Sequence, residues 1–135
     1  MIEIINRQKK YRINKDRFKK LLNKLSEHYK LKDPEITLAF VSNPAIQKLN
    51  KEFLKKNSPT DVLSFPIREK GADGKYYLGD IIISAHQAFQ QSSSSEHDFE
   101  KELKLLVIHG FLHLLGLEHR KGMEEEEEKI RNLVL

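Results

Sequence analysis

From about residue 96 to residue 116 the chain carries Leu103, Leu105, Leu106, Val107, Ile108, Phe111, Leu112, Leu114 and Leu115, which cover nearly every side of one helix. A helix apolar all round is buried, not laid on a surface. The rest of the chain must therefore wrap this segment, and any polar residue within it needs a specific partner.

The wrapping elements can be read from periodicity. Residues 2–6 predict a short strand. Asn14 is placed to cap a helix, with Ile13 and Phe18 as a hydrophobic staple. Phe18, Leu21, Leu22, Leu25 and Tyr29 give that helix one apolar face. Asp33-Pro34 is a break, and Ile36, Leu38 and Phe40 alternate as in a strand. Asn43-Pro44 opens a second helix with Ala45, Ile46, Leu49 and Phe53 inward. Val62–Phe65 predicts a short strand stopped by Pro66, and 68–76 a loop. Leu78–Ser84 predicts a strand and 85–91 a helix. Ser92–Ser95 predicts an exposed connection, and Ser95 with Asp98 a capping signal. A last helix covers 123–135; its Glu124–Glu128 run predicts a solvated face with i,i+4 pairs Glu125–Lys129 and Glu127–Arg131. The sum is one α+β domain, 1–135, with a small four-stranded mixed sheet and about five helices.

No apolar run approaches the ~18 residues of a membrane span. The strand-like N-terminus lacks the basic head and cleavage site of a signal peptide, so a cytoplasmic location is expected. Net charge is +4, but residues 1–60 carry 15 Lys or Arg against 6 Asp or Glu (+9), and 61–135 carry 9 against 14 (−5). A basic half suits an anionic partner such as nucleic acid.

The buried helix contains His109 and His113. Their i,i+4 spacing puts both rings on one face, about 5–6 Å apart at Cβ, within reach of one ion. Gly116 can take the left-handed conformation that ends a helix, and His119 three residues beyond can come round as a third ligand. Two imidazoles among leucines are costly unless something satisfies their nitrogens. With no cysteine in the chain, any metal site must use His, Asp or Glu. Three ligands predict one zinc ion per chain with its fourth position open, as in catalytic sites. His28, His86 and His97 lack such company and are read as structural.

The spacing H-x-x-x-H-x-x-G-x-x-H is shared with metzincin peptidases, which carry a glutamate base directly after the first histidine. Here that position is Gly110, so the helix is zincin-like without the zincin base. Together, His109 to His119, Pro59-Thr60-Asp61-Val62-Leu63-Ser64-Phe65 and Leu78-Gly79-Asp80-Ile81-Ile82-Ile83-Ser84 resemble, in order, three blocks of the YbeY family of metal-dependent endoribonucleases.

The resemblance implies a cytoplasmic enzyme of single-stranded RNA, acting on 16S ribosomal RNA or ribosomal particles in 3′-end maturation and ribosome quality control. It implies zinc on His109, His113 and His119, a fold similar to a metalloprotease core, and neither a membrane nor a small-molecule cofactor. Two positions depart from the family pattern. Leu54 stands where an arginine is usual, with Lys55 and Lys56 following as candidate RNA contacts; lysine lacks arginine's bidentate fork. Glu118 replaces an aspartate and is the candidate proton acceptor, or else a surface carboxylate in a turn. Asp61 and Asp80 are read as fixing turns or strand ends. Whether water or the RNA 2′-OH attacks phosphorus stays open. The rival readings are a metallopeptidase-like hydrolase and a non-enzymatic ribosome-assembly factor stabilised by zinc.

Overall fold

Strands β1 (Ile2–Asn6), β2 (Glu35–Val41), β3 (Val62–Lys70) and β4 (Tyr76–Ser84) form one mixed sheet in the order β1-β2-β4-β3. The computed structural model describes residues 1–93, 98–117 and 122–135. β1, β2 and β4 run parallel, and β3 is antiparallel to β4. Parallel neighbours need long crossovers. Helix α1 (Lys15–His28) supplies the first, and α2 (Asn43–Leu54) followed by β3 supplies the second. The chain then continues through α3 (Ala85–Ser93), α4 (Phe99–Leu114) and α5 (Met123–Val134). The predicted α+β class, with four strands in a mixed sheet and five helices, is the observed one. None of the described helices is long and apolar enough to cross a membrane.

Strand alternation sorts the core into two layers. Ile36, Leu38 and Phe40 join Ile81 and Ile83 on one face, packed with Phe18, Leu22 and Leu25 of α1 and with Val107, Ile108 and Phe111 of α4. Ala39, Val41, Leu63 and Ile82 face the other way, toward Ile46 and Leu49 of α2. The sheet thus lies between α2 and α4. α4 touches β3, β4, α1, α3 and α5, so the helix that is apolar all round takes the central place.

Several boundaries differ from the sequence expectation. β3 does not stop at Pro66 but runs to Lys70, with a bulge between Pro66 and Glu69. β3 is an edge strand, where a missing N–H costs no ladder bond, and the bulge absorbs the rest. Asn14 holds the cap position of α1 but its side chain makes no capping bond. α4 is capped by Asp98, whose carboxylate accepts from Lys101 N–H at 2.7 Å. Ser92 and Ser93 belong to α3 rather than to a connection, while Ser94, Ser95 and His97 lie outside the described residues.

Candidate metal centre

α4 is held to the sheet by the absence of a side chain. At Gly110 an added Cβ would stand 2.9 Å from Ile81 Cγ2 and 3.2 Å from Ser64 Oγ. Ser64 Oγ also donates, at 3.4 Å, to the Gly110 carbonyl. Gly110 therefore points into the sheet, and any side chain there would meet Ile81 and Ser64. The two histidines share one flank of the helix beside Gly110 and are half-buried.

His109 and His113 meet at Nε2, 2.8 Å apart, with ring centroids 4.3 Å apart and planes at 62°. The i,i+4 spacing thus brings the two nitrogens together, as the sequence predicted. Two nitrogens bound to one tetrahedral zinc at ~2.0–2.1 Å stand somewhat further apart, about 3.3 Å. A small opening of the ring pair suffices, so these donors fit such an ion. The His109 side chain is 41% exposed, which leaves this face open to solvent. The chain turns just beyond: Gly116 takes φ 81° and its N–H donates to the His113 carbonyl at 2.9 Å. The Arg68 guanidinium, from the β3 bulge, lies against Gly116. Glu118 and His119 fall outside the described residues.

The sequence reading missed Glu127. It expected the glutamate run to be a solvated face; Glu124, Glu125 and Glu128 are exposed, but Glu127 is 8% exposed. Its carboxylate oxygens stand 3.1 and 3.3 Å from His109 Nδ1. The expected Arg131 contact is also present, with Nη2 donating to Oε1 at 3.2 Å. Next to it Glu126 accepts from the Tyr29 hydroxyl at 2.7 Å, tying α5 to the end of α1. Burial, then that carboxylate, raises the Tyr29 pKa above the usual phenol value. A signal for Glu127 was available: Met123, Glu127, Ile130 and Val134 follow the spacing of one helix face, so a charge sits inside an apolar stripe.

The other candidates are placed as follows. Lys55 and Lys56 are exposed at the C-terminal end of α2, the helix that packs on the other face of the sheet from α4. Lys55 adopts φ 61°, and the Lys56 N–H donates to the Asn50 carbonyl at 3.3 Å. Buried Asn50 also donates from Nδ2 to the Ser58 carbonyl at 2.9 Å, pinning the loop before the Pro-Thr-Asp block. Asp61 fixes a strand end: its carboxylate accepts from Val62 N–H at 2.8 Å and from Gln91 Nε2 at 3.2 Å. Asp80 lies opposite Thr37 on the α2 side of the sheet, and burial raises its pKa although the Thr37 hydrogen bond opposes the shift. His86 Nδ1 stands 2.7 Å from the Tyr11 hydroxyl, and the His28 ring packs edge-on to Tyr29.

Known proteins match this arrangement over nearly the whole chain. The family model described as Endoribonuclease YbeY matches residues 3–134. The Endoribonuclease YbeY of Aquifex aeolicus is 37% identical over 134 residues, covering 98% of this chain and 89% of that protein. That of Syntrophotalea carbinolica is 36% identical, covering 96% and 88%. A Thermotoga maritima protein solved in solution superposes with a TM-score of 0.64 at 31% identity, covering 96% of this chain and 85% of that one. The ordered blocks, the fold and these relatives agree, and the chain belongs to the YbeY family of endoribonucleases.

Proposed function

We propose that the chain is a zinc-dependent endoribonuclease of single-stranded RNA, with His109, His113 and His119 holding the ion. The supporting observation is the half-exposed pair of imidazoles whose Nε2 atoms meet at 2.8 Å on one face of α4. A bound ion of this type supplies Lewis-acid polarisation of a phosphoryl oxygen and activation of water. The chain's own residues present the two nitrogens, turn at Gly116 toward His119, and offer Glu118 as the candidate proton acceptor. The basic N-terminal half guides the RNA through phosphate contacts that carry no sequence information. On the family resemblance, the substrate in the cell is the 3′ end of 16S ribosomal RNA, in the cytoplasm, during maturation and quality control of ribosomes.

A peptidase reading lacks support, because Gly110 takes the place of the base and faces Ile81. The test is cleavage of a labelled single strand beside a duplex of the same sequence. The single strand should be cut and the duplex spared. His113→Ala and chelation should each abolish cleavage, with zinc restoring it only to the chelated wild type. Cleavage by His113→Ala at the wild-type rate would overturn the assignment. For the cellular role, sequencing 16S 3′ ends in depleted cells should show extended precursors.

A further inference from the structure

The acidic run on α5 carries one glutamate unlike the others. Glu127 occupies the stripe formed with Met123, Ile130 and Val134, all packed toward the main core. Taking a carboxylate out of water costs several kcal/mol unless partners replace the lost hydration. Here the partners are His109 on one side and Arg131 on the other. An ionised carboxylate has no proton to give, so its contact with His109 requires an N–H on Nδ1. In a neutral imidazole that leaves the lone pair on Nε2. Nε2 is the atom that faces His113.

We propose that Glu127 is a positioning residue for the metal centre: it fixes the tautomer and the orientation of His109 so that Nε2 is presented to the ion, while Arg131 braces the carboxylate from behind. The proposal rests on reading His109 and His113 as metal ligands and goes beyond it, because it makes α5 part of the centre. Outer partners of this kind orient the ligand and raise its basicity, and their loss typically costs 10–100-fold in metal affinity. Arg131 belongs to the same device, since its Nη2 donates to the carboxylate oxygen that stands 3.1 Å from His109 Nδ1.

The experiment measures zinc affinity of the full chain by competition with a chromophoric chelator, for wild type, Glu127→Leu, Glu127→Gln and His113→Ala. Circular dichroism establishes that each variant is folded. Glu127→Leu should weaken zinc binding about 10–100-fold. Glu127→Gln, whose amide oxygen can still accept from Nδ1–H, should lose less, and His113→Ala should lose binding altogether. Wild-type affinity in Glu127→Leu beside lost binding in His113→Ala would overturn the role of Glu127 and leave the metal site standing. Retained zinc in His113→Ala would overturn the site itself. Independently of how the variants fold, imidazole nitrogen shifts of the metal-free wild type should show His109 protonated at Nδ1. Protonation at Nε2 would overturn the proposal.

Discussion

His109 and His113 present their Nε2 atoms to each other across 2.8 Å, one turn apart on a helix seated on the sheet by Gly110. The Glu127 carboxylate of α5 stands against the first ring, so the pair is a half-site braced from a second helix. The purified chain should hold about one zinc ion. Zinc at a hundredfold above its Kd should stabilise the fold by about 2.7 kcal/mol. His113→Ala should remove most of the metal and the zinc-dependent rise in Tm. Elemental analysis and thermal melts with and without chelator check this, and unchanged metal content in the variant would sink the half-site.

Gly110→Ala should destabilise, although alanine is the better helix former by about 1 kcal/mol. The new methyl would press on Ile81 Cγ2, a branched side chain with little freedom to turn aside. Overpacking of this kind costs about 1–3 kcal/mol. Chemical denaturation should show a lowered midpoint; a raised one would mean that α4 can lift off the sheet freely.

Asp80 is held above the usual aspartate pKa, chiefly by burial. The folded state then binds that proton more tightly than the unfolded chain does. Stability is lost as pH rises from the unfolded value through the folded one, and the penalty is complete once pH exceeds the folded value. Asp80→Asn should therefore raise Tm at neutral pH, and the gain should vanish as pH falls below the ordinary aspartate range. Melts of both proteins across that range decide it; a gain that grew toward acid would reverse the sign.

Lys55 and Lys56 stand exposed at the end of α2, beside the position where the family pattern has arginine and this chain has Leu54. If they take up phosphates, the double variant Lys55→Ala, Lys56→Ala should weaken binding to all single-stranded RNAs alike. The salt slope should fall by roughly 0.7 for each phosphate no longer neutralised. Unchanged affinity and slope would assign them to solvent.

Periodicity revealed the layers of this fold because each strand and helix buries a face. It located the central helix because no face of that helix could be left in water. It placed His109 beside His113 because i,i+4 neighbours must meet. It failed where tertiary context overrode a local signal. Pro66 reads as a stop, yet on an edge strand its missing N–H offends nothing. Glu127 reads as one more solvated acid until its place on the apolar stripe of α5 is weighed. Lys55 and Lys56 follow a helix that packs on the other face of the sheet from α4, a placement the linear order does not reveal.

Glycine and glutamate codons can differ by a single base, GGA against GAA, so genetic distance alone is a weak barrier to the residue that gives zincins their base. The geometry closes that path. The side chain would have to enter the layer held by Ile81 and Ser64, so the change would destabilise the fold as it supplied the base. The boundary between the two chemistries is kept by packing rather than by genetic distance, and crossing it would take coordinated changes in α4, β3 and β4.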